Sequence, residues 1–345
     1  MDKVGIITLM HVRNIGAVLQ AYATKCIIEE AGFEPIFIRA YGIGDAIRFF
    51  IGDMGMPKIY NLKFMIKKLL KFNIVFKSFR QKKIKYSKKC KVIVLGSDSI
   101  WIPYNRKKRM PKAFFGDVEN NNVISFSAST GGINDENLYS SVQKEALMKI
   151  KEISVRDIYT QNLLKKILDK DVDIILDPTL LIDWESLISN MNIKREVGVT
   201  GKFILVYGGI STKYAFEIKK IAKQLDYQVV NVGTYSKEFK INIAVSPFEF
   251  LLYVRDAAMI FSSMFHGIMI SFYFEKTFRY IPMDKNRNKK LESMVEILEM
   301  DKNFDIYMKL NSPMEDYKRV FNYNNVNEKK SKLIMQSKEW LMSRI

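Results

Sequence analysis

The chain has 345 residues, 48% hydrophobic and 27% charged, the make-up of a water-soluble globular protein long enough for two cored domains. Its 55 basic against 37 acidic side chains give a net charge of +18, which attracts polyanions but also follows from a Lys-, Ile- and Asn-rich composition. The two cysteines, Cys26 and Cys90, have neither metal-ligand nor disulfide spacing, which excludes a disulfide framework and a zinc module and points to a reducing, cytoplasmic setting.

In chain order, "MDKVGIITLMHV" reads as a first strand (Val4 to Leu9) rather than a leader peptide. A helix from Gly16 to Ala31 and a strand from Glu34 to Arg39 follow. A basic excursion over 44–90 comes next, and no acidic residue occurs from Met54 to Ser97. Within "LKFMIKKLLKFNIVF", helical spacing puts Lys63, Lys67 and Lys71 on one face and Leu62, Met65, Ile66, Leu69, Phe72 and Phe76 on another. Such a segment either lies on an anionic membrane surface or packs its apolar side onto the core; the pattern is the same for both.

Strands at Lys91 to Leu95, Val123 to Ser127, Ile153 to Val155 and Asp173 to Leu176, with a helix from Glu136 to Lys151, complete the first half. The polar stretch Asn190 to Gly201 reads as a linker. A second alternation follows, with strand Phe203 to Tyr207, helix Thr212 to Leu225 and strand Gln228 to Val232. "SPFE" then opens a helix with Ser246 as cap, Pro247 in the first turn and Glu249 closing a capping box. The uncharged run Ala257 to Phe274 has the length of a membrane span, but Ser262, Ser263, His266, Gly267 and Ser271 interrupt it. It divides into a strand (Ala257 to Phe261), a polar turn (Ser262 to Gly267) and a helix (Ile268 to Glu275), so that a helix start with free N–H groups forms an anion site. A strand from Arg279 to Ile281 and a helix near Leu291 follow.

This order predicts an α/β protein of two Rossmann-like, doubly wound domains facing a cleft. The first covers 1–185, the second 200–320, and a helical tail 321–345. Polar motifs follow the strands, where such folds bind ligands. "HVRNIG" carries His11, Arg13, Asn14 and Gly16; "GSDSIW" carries Gly96, Ser97 and Asp98; "SVRD" carries Arg156; "SSMFHG" carries Ser263, His266 and Gly267. Both histidines of the chain lie in such loops. A single glycine after the first strand does not make a dinucleotide fingerprint. No metal-ligand set and no nucleic-acid-binding motif is present, and no cofactor is implied.

Taken in order, "NIGAVLQAYAT", "GSDSIW", "ISVRD", "DPTLL" and "MFHG" resemble the motifs of the polysaccharide pyruvyl transferases, from residue 3 to about 300. The resemblance implies a GT-B-like pair of Rossmann-like domains. It also implies transfer of the enolpyruvyl unit of phosphoenolpyruvate to a sugar of a cell-surface or capsular glycan, or of its lipid-linked precursor, as a pyruvyl ketal. Carried over residue by residue, Arg156 and His266 form the catalytic, donor-site pair. The expected substrate-binding residues are His11, Arg13, Asn14, Gly16, Gly96, Ser97, Asp98, Ser263, Gly267 and Arg287. His266 would move a proton beside the donor and Arg156 would clamp its phosphate or carboxylate from the opposite domain.

Three positions depart from the family pattern. Met264 stands where some relatives have an arginine two residues before the histidine, so Arg13, Lys276 or Arg287 must meet part of the donor's charge. Ser99 replaces a glutamine and Ile15 an aromatic residue. Two alternatives stay open: a GT-B glycosyltransferase using a nucleotide sugar, and a non-catalytic basic adaptor at membranes. The enzyme is expected in the cytoplasm, with peripheral contact to an anionic membrane.

Overall fold

The computed structural model describes the chain apart from residues 11–13, 41–60, 104–109, 170, 196–198, 200, 284 and 301–304. Among the described residues twelve strands make two all-parallel sheets. The first contains β1 (Lys3–Ile7), β2 (Glu34–Arg39), β3 (Gln81–Lys83), β4 (Val92–Leu95), β5 (Val123–Ala128), β6 (Glu152–Val155) and β7 (Asp173–Ile174). The second contains β8 (Phe203–Tyr207), β9 (Gln228–Val232), β10 (Ile241–Ile243), β11 (Met259–Ser262) and β12 (Phe278–Tyr280). Their orders are 3-2-1-4-5-6-7 and 10-9-8-11-12. In each sheet the chain starts in the interior and winds first one way and then the other, leaving a crevice beyond the carboxyl ends of the central strands. The inner strands β4, β8 and β11 are buried at every position, as parallel strands covered on both faces require.

One apolar core runs continuously between the sheets, from Val4, Val18 and Phe37 to Leu251, Ile268 and Phe278. Helices Ile15–Glu30, Pro247–Asp256 and Phe265–Tyr273 contribute to it. The first of these is buried from Ile15 through Thr24, so small residues such as Gly16, Ala17, Ala21 and Ala23 allow close packing. Separate clusters cover the outer face of each sheet. The last helix, Asn324–Met342, returns to the first sheet: Ser337 Oγ accepts from Leu176 N (2.9 Å), Trp340 Nε1 donates to Asp173 (2.6 Å), and Trp340 stacks on Phe126.

Several boundaries differ from expectation for identifiable reasons. The helix expected over Glu136 to Lys151 breaks into a short 3-10 turn, Glu136–Leu138, and a helix, Ser141–Met148, because Ser140 and Gln143 form a capping box that starts the helix afresh. The helix after β11 starts at Phe265 rather than Ile268, which places His266 in its first turn. The basic helix Leu62–Phe76 buries Phe72 and Val75, and Phe76 packs against the core, whereas Leu62 and Ile66, expected on that same face, point outward. Lys71, expected with the exposed lysines, instead pairs with Glu249 of the second domain at 2.7 Å.

Candidate active site

The sequence motifs meet at one place between the sheets. β6 ends at Val155 and delivers Arg156, only 5% exposed, to the crevice. Asp157 then caps the next helix by accepting from Thr160 N (2.8 Å), which fixes the backbone that carries the guanidinium. Arg156 Nη1 donates to Asp177 Oδ2 (2.5 Å) and Nη2 donates to Asp98 Oδ1 (3.0 Å). His266 arrives from the second domain, with Nε2 3.3 Å from both Asp177 Oδ2 and Arg156 Nη1. The Phe265 ring lies against the guanidinium, 4.9 Å from Arg156 Cζ.

Asp177 is the hub of this cluster. Its other oxygen, Oδ1, accepts from Thr179 N (3.0 Å) and Thr179 Oγ1 (2.6 Å), fixing the "DPT" turn. Burial by itself raises the Asp177 carboxyl, but the charges of His266 and Arg156, with the hydrogen bonds, hold it far below the usual carboxylate range. Burial also acts to raise Asp98, and Arg156, His266 and Lys290 reverse the sign. For Arg156, burial acts downward while Asp177, Asp98 and Asp157 together lift it above its ordinary value. The cluster is therefore a set of opposed, mutually neutralised charges, the condition under which buried ions persist.

The remaining motif residues brace it. Gln20 donates to Thr8 Oγ1 (2.8 Å) and accepts from Ser97 N (3.1 Å), while Thr8 Oγ1 donates to Ser97 O (3.0 Å). The glutamine of "AVLQ" thus holds the Gly-Ser-Asp loop that presents Asp98. Asn14 Oδ1 caps its own helix at Gly16 N (3.0 Å) and Ala17 N (3.4 Å). Gly16 is required by contact between the domains: a Cβ there would overlap Cβ, Cγ and Nδ1 of His266.

A cavity of about 220 Å³ opens over this cluster, and Asn14, Asp98, Arg156, Ser263, His266, Arg287 and Lys290 are among its lining residues. The helix Phe265–Tyr273 begins at its wall with no side chain capping it. Gly267 N donates to Met264 O (3.0 Å), and the N–H groups of Phe265 and His266 precede that first bond of the helix. Ser263, 1% exposed, has its Oγ without a hydrogen-bond partner in the protein. Lys290 Nζ lies 3.3 Å from Ser99 Oγ, and burial, then the nearby charge of Arg156, pulls its ammonium below the ordinary lysine value.

Of the expected site residues, Asn14, Asp98, Arg156, Ser263, His266 and Arg287 line the cavity. Gly16, Gly96, Ser97 and Gly267 are not among its lining residues: Ser97 is fully buried in the Gln20 brace, and Gly267 packs against Ser262 and Tyr207. His11 and Arg13 lie outside the described residues. Arg156 is not disposed as an open clamp, because both terminal nitrogens already meet carboxylates. Lys276 donates to Arg255 O (2.7 Å), beyond the far end of the histidine helix. Asp177 and Lys290 are missing from the expected set. The first lies inside the quoted "DPTLL" motif; the second has no local signal in a helix that also carries Lys285, Arg287 and Lys289. Among the described residues no cluster of acidic, His and Cys side chains could hold a metal ion.

The fold is that of GT-B proteins. The UDP-GlcNAc 2-epimerase of Methanocaldococcus jannaschii is similar with a TM-score of 0.50 and 11% identity, over 97% of this chain and 99% of that one. The UDP-GlcNAc 2-epimerase of Neisseria meningitidis gives a TM-score of 0.47 at 11% identity, over 98% and 99% of the two chains. A UDP-glucosyltransferase of Polygonum tinctorium gives 0.38 at 10%, over 99% and 94%. No curated protein matches the chain in sequence. The family model described as polysaccharide pyruvyl transferase matches residues 14–285, from the Asn14 cap to the first residue of the helix bearing Lys290, and the chain belongs to that family of transferases.

Proposed function

We propose that the cavity binds phosphoenolpyruvate and that the enzyme, acting in the cytoplasm, transfers its three-carbon unit to a sugar of a cell-surface or capsular glycan or its precursor, giving a pyruvyl ketal. The observation that carries this reading is the set of donors on one wall beside His266: Ser263 Oγ, which has no partner in the protein, the start of Phe265–Tyr273, which no side chain caps, and the Lys290 ammonium, which reaches Ser99 Oγ at 3.3 Å. A small ligand with a carboxylate and a phosphate matches that set. Binding an anion also offsets the burial and the repulsion from Arg156 that pull the Lys290 ammonium below its ordinary value.

The chemistry follows from the donor. A proton delivered to C3 of phosphoenolpyruvate converts its methylene to a methyl group and leaves C2 electron-poor. An acceptor hydroxyl oxygen bonds to C2 and loses its proton. The C2–O bond to phosphate breaks, inorganic phosphate departs, and a second hydroxyl of the acceptor closes the ketal at C2 with loss of its own proton. One of the two hydroxyl protons balances the one gained at C3; the other leaves with phosphate or solvent. His266 carries the proton, with Asp177 stabilising the imidazolium while sharing its oxygen with Arg156. Arg156 is a positioning residue that fixes Asp177 and Asp98.

Thermal stabilisation by ligands tests the reading directly. Phosphoenolpyruvate should raise the melting temperature of the wild-type protein, UDP-sugars should not, and Lys290→Met should lose most of the shift. Stabilisation by a UDP-sugar with none by phosphoenolpyruvate would sink the proposal in favour of a glycosyltransferase.

A further inference from the structure

We infer that the helix Leu62–Phe76 is a docking surface for an anionic lipid bilayer, through a stripe of aliphatic side chains that the fold leaves uncovered. Leu62, Ile66, Leu70 and Ile74 are 60%, 47%, 63% and 68% exposed. At 100° per residue they share an arc of about 140° with Lys63, Lys67 and Asn73. Both lysines are exposed. The opposite arc is where the fold holds the helix: Phe72 and Val75 are buried, Phe76 packs against the core, Phe64 meets the Tyr235 ring edge-on at 6.0 Å, and Lys71 pairs with Glu249 at 2.7 Å. The helix thus has two apolar sides, and only one of them serves the core.

Charge selects the occupant. No carboxylate occurs from Met54 to Ser97, so an anionic surface meets no repulsion along this segment. After the helix the chain adds exposed Lys77, Lys83, Lys85, Lys88 and Lys89. Aliphatic side chains interleaved with lysines on one helical face favour insertion at the level of anionic headgroups, with the ammonium groups reaching the phosphates. Crossing the bilayer is a different matter: among the described residues no helix is long and apolar enough for that.

The geometry places this surface near the catalytic crevice. The N-terminal turn of the helix lies beside the carboxyl ends of β9 and β10, since Tyr235 follows the first and Ala244 the second. There Leu62, Lys63, Phe64 and Lys67 line an open cavity of about 520 Å³ with Tyr235, Asn242 and Ala244 of the second domain. A bilayer held at the stripe would present headgroup-linked material beside the opening between the domains.

The test uses the full chain without donor or acceptor, so its outcome is independent of the proposed transfer reaction. Vesicles of phosphatidylglycerol mixed with phosphatidylcholine, and vesicles of phosphatidylcholine alone, are sedimented with the protein at low and high salt. Wild type should bind the anionic vesicles at low salt and release in high salt. Leu62→Ser, Ile66→Ser, Leu70→Ser and Ile74→Ser combined, and Lys63→Glu with Lys67→Glu, should each lower the partition coefficient by roughly tenfold or more. Unchanged circular dichroism and melting would show these exposed positions to be dispensable for folding. Failure of wild type to bind anionic vesicles, or full binding by the serine variant, overturns the inference. So does a wild-type dimer in sedimentation velocity that the serine variant dissolves, which would assign the stripe to a second copy of the chain.

Discussion

The two walls of the active-site cavity are built on opposite electrostatic plans. The first domain supplies Asp98, Arg156 and Asp177, whose charges are already matched to one another at 2.5 and 3.0 Å. The second supplies Ser263, whose Oγ has no partner in the protein, a helix start that no side chain caps, and Lys290, which meets Ser99 Oγ at 3.3 Å and no carboxylate within ion-pair distance among the described residues. His266 belongs by chain to the second wall and by hydrogen bonding to the first. A neutralised cluster cannot change partners cheaply, so it serves as a frame; groups without partners gain most from an arriving ligand. Under the proposed function, the difference assigns recognition of the donor and fixation of the proton carrier to separate domains.

The sharpest way to break this division is Arg156→Ala. The sequence places Arg156 in the donor-site pair, which implies loss of transfer; its two carboxylate partners imply loss of stability as well. Two buried carboxylates would lose their partner, a change of about 3–5 kcal/mol in urea unfolding. The acid limb should change with it. Because Asp177 and Asp98 are held below their unfolded values, their contribution is fully present above about pH 3.9 and is lost as pH falls from there toward the folded values. In the alanine variant the share of that lowering due to Arg156 is lost while His266 and the hydrogen bonds remain, so both carboxyls move upward and stability should fall less steeply on acidification. A variant as stable as wild type at neutral pH would refute the frame.

His266→Ala should lower turnover by about 10²–10⁴ with a smaller effect on unfolding, since the frame retains the Arg156 pairs. Turnover within threefold of wild type would remove the histidine from the chemistry. Gly16→Ala tests the contact between the walls: the added methyl must displace His266, so turnover should drop roughly tenfold to a hundredfold while phosphoenolpyruvate binding, measured calorimetrically, stays near wild type. Equal losses in both would mean that the glycine holds the second wall as well. Ser263→Ala is the mildest change. Removing one hydroxyl donor should weaken phosphoenolpyruvate binding by about 0.5–1.5 kcal/mol without altering the unfolding midpoint much, and an unchanged affinity would show that the hydroxyl faces no ligand.

These walls were not equally legible in the sequence. The frame was visible as motifs because each of its residues sits directly after a strand, and the strand boundaries at Glu34–Arg39 and Phe203–Tyr207 emerge from short apolar runs between polar turns. The role of Asp177 was not visible, since an Asp-Pro turn looks the same whether or not its second oxygen meets an arginine from another strand. Lys290 was hidden more completely: only the packing of its helix against the first domain, through Ser293 to Ile158 and Glu292 to Tyr159, selects it from the neighbouring cations. Edge strands β3 and β10 escaped because each has three residues and a polar or alternating pattern. The polar stretch around Ser263 read as a turn, while its last three residues in fact open a helix, because Gly267 there answers to close packing rather than to a bend.

The return of the last helix to the first sheet changes the mechanics of the molecule. The chain leaves the first domain before β8 and crosses back when Asn324–Met342 docks through Ser337 and Trp340. Together with the apolar core that runs on between the sheets, the two crossings act as a clasp: they oppose any parting of the halves and so help the cavity keep its width. Loss of the second crossing would loosen that clasp and leave the register of His266 against Asp177 to the core alone.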